Sequence, residues 1–336
     1  MKRLGKVLVA SMIVMHTIGC SSPTLRKNMA NVDGWNTHCF GRYLVDLPPG
    51  VKIGAAYKWR GSKVEHLAGE TPETLKAKIA TRQSELEAQK RDGGRGAMFF
   101  DRWQHSDAGS TSLLSWRGPH STEVLRRESY FVATSPWRVF HTSGDVTIDR
   151  LDVAKNNANA LAANIKALDR NVIPKEPGFC IEGGMIAGKE FQPESFTVGI
   201  KIPEHPNAII SIDARTGAEE DRLLDRVGGF FLSATRGLMP GLTVLRKGER
   251  NVGSIEAQEF ATAASDKGQR VYAFAWESQG KDRSLADQNI AVRLQVLEQS
   301  VVSEKTPYQP AFKSDEEALQ LWDNIIESVR LRPGAV

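Results

Sequence analysis

Apolar and polar positions alternate in short runs along this chain, and the runs form two similar series. The first opens at Cys39, where Cys39, Gly41, Tyr43, Val45 and Leu47 alternate with Phe40, Arg42, Leu44 and Asp46 until Pro48-Pro49-Gly50 stops the run. Alternation closed by turn formers predicts a strand. Residues 51–59 and 63–68 predict two more. Thr71-Pro72 then offers an N-cap residue with proline at the first helical position, so a helix is expected to about Lys90. Its few apolar residues, Leu75, Ile79 and Leu86, place it at the surface. After Gly93-Gly94-Arg95-Gly96 come four strand-like runs, 97–104, 111–117, 122–133 and 137–142. A helix over 152–168 closes the series, striped by Ala154, Ala158, Leu161, Ile165 and Leu168.

The second series repeats the order. Strands are expected at 178–187, 195–202 and 208–213, a helix at 218–234 interrupted by Gly228-Gly229, and four strands at 242–247, 252–260, 269–278 and 289–299. Ser314 with Glu317 forms a capping-box pattern. The helix it starts is striped by Ala318, Trp322, Ile325 and Val329, with the spacing of Ala154, Ala158, Leu161 and Ile165. The expectation is an α+β fold of two similar lobes, 38–172 and 173–336, each an antiparallel sheet covered on one face by helices. Pro174 and Pro177 keep the connection between the lobes from continuing a helix.

The first nineteen residues stand apart. Lys2, Arg3 and Lys6 precede an apolar run from Val7 to Ile18, too short for the roughly 20 residues that span a bilayer. Basic residues, a short apolar stretch and a small residue match a cleavable export signal over 1–19. The following Cys20-Ser21-Ser22-Pro23 resembles the lipobox of bacterial lipoproteins, which implies lipidation of Cys20 and, with Ser21 next, an outer-membrane anchor in the periplasm. Thr17 stands where that pattern usually has leucine, and plain secretion is the alternative. Residues 20–37 are small and polar without a period, as expected of a flexible tether.

Loss of the leader changes the charge balance. The chain carries 44 Lys+Arg and 40 Asp+Glu for a net +4, and the three basic residues before Cys20 account for most of the excess. The near-neutral remainder has no dense basic run of the kind that neutralises nucleic-acid phosphates. Apart from Cys20 only Cys39 and Cys180 remain. In an oxidising compartment they can pair, and the alternative is two buried thiols at equivalent places in the two lobes.

Signatures of catalysis are missing: no G-x-S-x-G, H-E-x-x-H, C-x-x-C, phosphate loop or dinucleotide fingerprint occurs. The run 93–96 reads as a turn. His105 with Asp107 and Ser106 or Ser110 has triad residue types but too locally, so a solvated turn is expected. His38 beside Cys39 has no second ligand pair with metal spacing. Tyr272, Phe274 and Trp276 on one strand face read as core. No enzyme, cofactor, metal or small-molecule substrate is expected.

The motifs CFGRYLVDLP from Cys39 and GFCIEGG from Gly178 resemble the openings of the two domains of type VI secretion lipase immunity proteins of family four. The likeness runs from about Cys39 to Arg332. It implies a periplasmic protein that binds a phospholipase effector delivered by sister cells, clamps it between two lobes and blocks lid opening. An inhibitor of this kind needs an interface of about 1,600 Å² rather than a reaction centre. Arg91 and Arg95 in the glycine loop and His205 between Pro203 and Pro206 are candidate partner contacts. The alternative is a scaffold lipoprotein of an envelope assembly.

Overall fold

The computed structural model describes residues 32–106, 108–169, 172–227, 241–266, 268–299 and 308–336. The expected leader, Cys20, most of the tether and residues 228–234 of the expected helix lie outside them. The described residues open with the hairpin β1 (Asn36–Phe40) and β2 (Tyr43–Leu47), followed by β3 (Lys52–Trp59), β4 (Ser62–His66) and helix α1 (Pro72–Ala88). A meander follows: β5 (Phe99–Gln104), β6 (Thr111–Trp116), β7 (Val124–Thr134) and β8 (Trp137–Thr147), then helix α2 (Leu151–Asn164) and β9 (Ile165–Ala167). The second half runs β10 (Gly178–Ile181), β11 (Gly184–Ala187), β12 (Glu194–Lys201), β13 (Ala208–Arg215) and a single-turn helix α3 (Leu223–Arg226). It ends with β14 (Thr243–Glu249), β15 (Gln258–Asp266), β16 (Gln269–Glu277), β17 (Asn289–Val296), helix α4 (Asp315–Ser328) and β18 (Arg330–Leu331).

The architecture is α+β with sheet-dominated lobes, and the two large sheets share an edge. Their strands form one antiparallel sheet in the order β14-β15-β16-β17-β13-β12-β3-β4-β8-β7-β6-β5. Outward from the β12–β3 seam each half has the same order: seam strand, its hairpin partner, then the meander from last strand to first. The seam is a complete ladder from Glu194↔Trp59 to Lys201↔Lys52. Two small sheets, β1-β2-β18 and β10-β11-β9, pack beside it.

Helices take their places from which strand residues they cover. Leu75 and Ile79 of α1 cluster with Leu113, Tyr130, Val132 and Val139. Ala158 and Leu161 of α2 join the main core with Phe131 and Phe140. Neighbouring strand residues point to opposite faces, so α1 and α2 lie on opposite sides of the first meander. In the second half α4 buries Ala318, Leu321, Trp322, Ile325 and Ile326 against Tyr272, Phe274 and Trp276.

Several elements differ from the pattern: the runs opening at Cys39 and Gly178, each expected as one strand, are the hairpins β1–β2 and β10–β11, and the strand expected over 137–142 continues to Thr147. The closing helix of the first half ends at Asn164 instead of 168, because Ile165 turns extended and Ile165–Ala167 pairs with β11. The run 252–260 is not one strand: Val252 and Ile255 close a tight turn on each other, and β15 starts at Gln258.

Candidate functional site

The two opening motifs meet. Cys39 and Cys180 form a disulfide with Cα atoms 5.9 Å apart. The Gly41 N–H donates to the Cys180 carbonyl at 3.0 Å, and Cys180 N–H returns a bond to Gly41 at 2.7 Å. Gly41 has φ +58°, and a Cβ there would lie 2.6 Å from the Phe196 ring, so only glycine allows this approach. The alternating motif thus supplies both a covalent and a hydrogen-bonded tie to the second half.

One residue further on, the chain buries a charge. Arg42 and Glu194 are 1% and 3% exposed. Arg42 Nε donates to Glu194 Oε2 at 2.8 Å and Nη2 donates to Oε1 at 2.6 Å, a two-pronged pair. Its Nη1 donates to the carbonyls of Gly188 and Ala335. Arg332, also 1% exposed, donates to the carbonyls of Pro174 at 2.6 Å, Glu176 at 2.9 Å and Gly178 at 2.7 Å. It therefore satisfies the backbone of the connection whose prolines cannot form regular ladders. Burial holds the Glu194 carboxyl above its usual value despite the Arg42 guanidinium. Burial, with Arg42 nearby, lowers Arg332. Removing one partner of such a pair strands a buried charge, at a typical loss of about 3–5 kcal/mol.

This junction fixes geometry and offers no reaction. Beside the disulfide a cleft of about 600 Å³ is lined by Phe40, Ile53, Tyr57 and Ile181, with His38 and His66 at its wall. Burial lowers both histidines. No group of His, Cys, Asp and Glu able to hold a metal exists among the described residues. His105 donates from Nδ1 to Asn159 Oδ1 at 2.7 Å, and its Nε2 accepts from Ser112 Oγ at 2.7 Å, so both ring nitrogens have structural partners. Asp107 lies outside the described residues.

The three residues singled out as partner contacts are not brought together. Arg91 stacks over Trp116 at 3.8 Å and donates to the Ser121 carbonyl, fastening the glycine loop to the 118–121 turn. Arg95, in the same loop, is exposed and donates to the His120 carbonyl at 3.3 Å. His205 sits in the β12–β13 hairpin, six strands from the β5 edge, donating to the Ala311 carbonyl at 2.7 Å, with its ring tilted against Phe312 at 4.5 Å between centroids. Sequence reasoning missed Arg42, Glu194 and Arg332. The available signal was an arginine inside an apolar motif, Cys39-Phe-Gly-Arg-Tyr-Leu-Val.

With this geometry in hand, relatives can be compared. The N-terminal domain of Tle cognate immunity protein 4 matches residues 36–128, and the C-terminal domain of the same family matches residues 172–334. Apo immunity protein TplEi of the T6SS from Pseudomonas aeruginosa is 41% identical, with TM-score 0.84 over 90% of this chain and 99% of that one. A chain of the Tle4-Tli4 complex is 41% identical, with TM-score 0.86 and the same coverage. TplEi complexed with "L" peptide is 40% identical, with TM-score 0.80 over 90% of this chain and 100% of that one. No curated protein matches. These relatives are immunity proteins and not enzymes. Both family domains occur in order along one chain with the fold of those structures, and the chain belongs to the Tle cognate immunity protein 4 family.

Proposed function

We propose that this protein binds a type VI secreted lipase effector and inhibits it stoichiometrically, gripping it with the two halves and blocking lid opening. The observation that carries this is the 41% identity across 90% of the chain to a structure in a Tle4-Tli4 complex. The junction supports it physically. A disulfide, a paired buried arginine and a continuous seam hold the halves in one orientation, and a preorganised binder loses less entropy on association. Export and lipidation of Cys20 would put the inhibitor where the effector arrives, in the periplasm and on the outer membrane; the leader pattern before Cys20 supports this.

Titrating phospholipid hydrolysis by the effector with the chain lacking its leader tests the inhibition. Activity should fall linearly to the equivalence point, with a complex on gel filtration. Hydrolysis persisting at large molar excess, or no complex, refutes inhibition. Cys20→Ala should move the full-length protein from the membrane fraction to the soluble periplasm; continued membrane fractionation refutes the anchor.

A further inference from the structure

Under helix α2 the first half contains a cleft of about 440 Å³ walled by Arg60, Arg127 and Arg150. None of the three forms an ion pair among the described residues. Arg127 projects from the α2 side of β7, and its Nη1 donates at 2.9 Å to Ser129 Oγ, which is 2.5 Å from Ser112 Oγ. Its bonded partner is thus a neutral hydroxyl, although a half-buried cation is better satisfied by a counter-charge. Burial lowers the Arg127 guanidinium accordingly. Arg60 donates to the neutral amides of Gln192 and Asn157 and stacks on Trp59 at 4.6 Å. It occupies the turn before Gly61 with φ +50°, a conformation unusual for a residue other than glycine or asparagine.

A second feature points the same way. Thr142 lines the cleft at 1% exposure, and its Oγ1 has no hydrogen-bond partner. Helix α2 starts beside this cleft, continuing a 3-10 turn over Ile148–Arg150 whose Ile148 carbonyl accepts the Leu151 N–H, and Val153 and Ala154 of its first turn line the cleft. The one carboxylate on the wall, Asp145, is held by Arg117 at 2.7 Å and Arg126 at 3.1 Å. Trp59, Val153 and Leu161 give the rest of the wall an apolar character.

We propose that this cleft is a binding site for a phosphate-type oxyanion, with Arg127 at its floor, Arg60 and Arg150 at its sides, Thr142 donating its free hydroxyl, and the apolar wall facing an ester's organic group. Several guanidinium and hydroxyl donors around one cavity suit a tetrahedral group with many lone pairs. The site is independent of the effector-binding reading. It lies within the first half, away from the disulfide junction.

Inorganic phosphate, glycerol 3-phosphate and phosphatidylglycerol vesicles, each titrated into the chain lacking its leader and followed by calorimetry or 31P NMR, test the assignment. Chloride at matched ionic strength and phosphatidylcholine vesicles are the controls. Saturable binding of the phosphate compounds is expected. Arg127→Gln and Arg60→Gln should each weaken it at least about tenfold, the scale of one lost charge-assisted bond. Binding in the soluble arms assigns a free phosphate; binding confined to phosphatidylglycerol and lost in Arg127→Gln assigns a lipid headgroup. Should Arg127→Gln fail to fold, Arg60→Gln and Arg150→Gln at the rim carry the test. No saturable binding in any arm, or binding equally strong in the folded variants, overturns the proposal.

Discussion

The closing helices α2 and α4 hold equivalent places in the two halves and rest on different floors. Their stripes share one register: Ala154, Ala158, Leu161 and Ile165 answer to Ala318, Trp322, Ile325 and Val329, and Ile165 and Val329 are the two C-caps. Beneath α4 the third meander strand presents Tyr272, Phe274 and Trp276, all buried, and Trp322 meets Phe274 edge-on at 5.7 Å. Beneath α2 the matching strand presents Leu125, Arg127, Ser129 and Phe131, and an alanine stands where the sister helix has Trp322. The same topology therefore encloses an aromatic core once and a cationic cleft once. Backbone order is set by alternation and turns, which tolerate either filling; what fills the space decides whether the layer stabilises or binds.

The largest change to this arrangement should come from untying the halves. Cys39→Ser with Cys180→Ser opens a loop of 141 residues, for which the chain-entropy treatment gives about 4–5 kcal/mol. Urea unfolding should show a lower midpoint for the double variant, and in the wild type no thiol other than that of Cys20 should titrate. Two titratable thiols besides Cys20 in the native protein would show that Cys39 and Cys180 are not bridged. Next is Trp322→Ala, expected to lose about 3–5 kcal/mol, since Trp322 is wholly buried and donates from Nε1 to Glu259 at 2.5 Å. A loss below that of Leu161→Ala would mean the aromatic floor is not the stronger one.

A smaller pair of substitutions compares the floors directly. Ala318 is fully buried, whereas Ala154 lines the cleft. Ala318→Leu should destabilise by about 1–3 kcal/mol through overpacking. Ala154→Leu should change stability by less than about 1 kcal/mol, because the added methylenes enter open space. Equal losses in thermal unfolding would show that the cleft is closed in solution.

What the sequence revealed follows the same division. Thr71 caps α1 through Thr74 N–H, and Ser314 accepts from Glu317 N–H at 3.3 Å, as local pattern implied. Apart from Ala154 and Leu168 both closing stripes are buried, as are Tyr272, Phe274 and Trp276. These are short-range consequences of period and capping. Invisible were the β3–β12 seam, which pairs segments far apart in sequence, and the burial of Arg42, which occupies a position that alternation reads as polar. Alternation says which residues share a face; it does not say whether another segment will cover that face. For the same reason Arg91 and His205, chosen for their loop settings, pack against Trp116 and Phe312. Arg95 alone of the three is exposed.

The smallest expected effect concerns the helix starts. Asp315 opens α4 and accepts from Arg270 Nε at 3.0 Å and Nη2 at 2.7 Å and from the Tyr272 hydroxyl at 2.9 Å. The Arg270 hydrogen bonds, helped by Tyr272, hold its carboxyl below the ordinary value of 3.8. Burial and Asp315 push the Tyr272 phenol up to about 12. A carboxylate whose folded value is depressed adds stability that is complete above its unfolded value and disappears as pH falls through the folded one. Because the pair is partly exposed, its worth is about 0.5–1 kcal/mol. Asp315→Asn should therefore lower the melting temperature at pH 7, and the gap from wild type should close as the pH drops below 3.8. Helix α2 has no such clamp: Arg150 caps it without a side-chain bond, and its first-turn Asp152 makes no ion pair among the described residues. Asp152→Asn should produce the smaller shift at pH 7. A gap for Asp315→Asn that stays constant from pH 7 to strongly acidic solution would mean that the clamp acts through shape alone, and the electrostatic contrast between the two helix starts would fall.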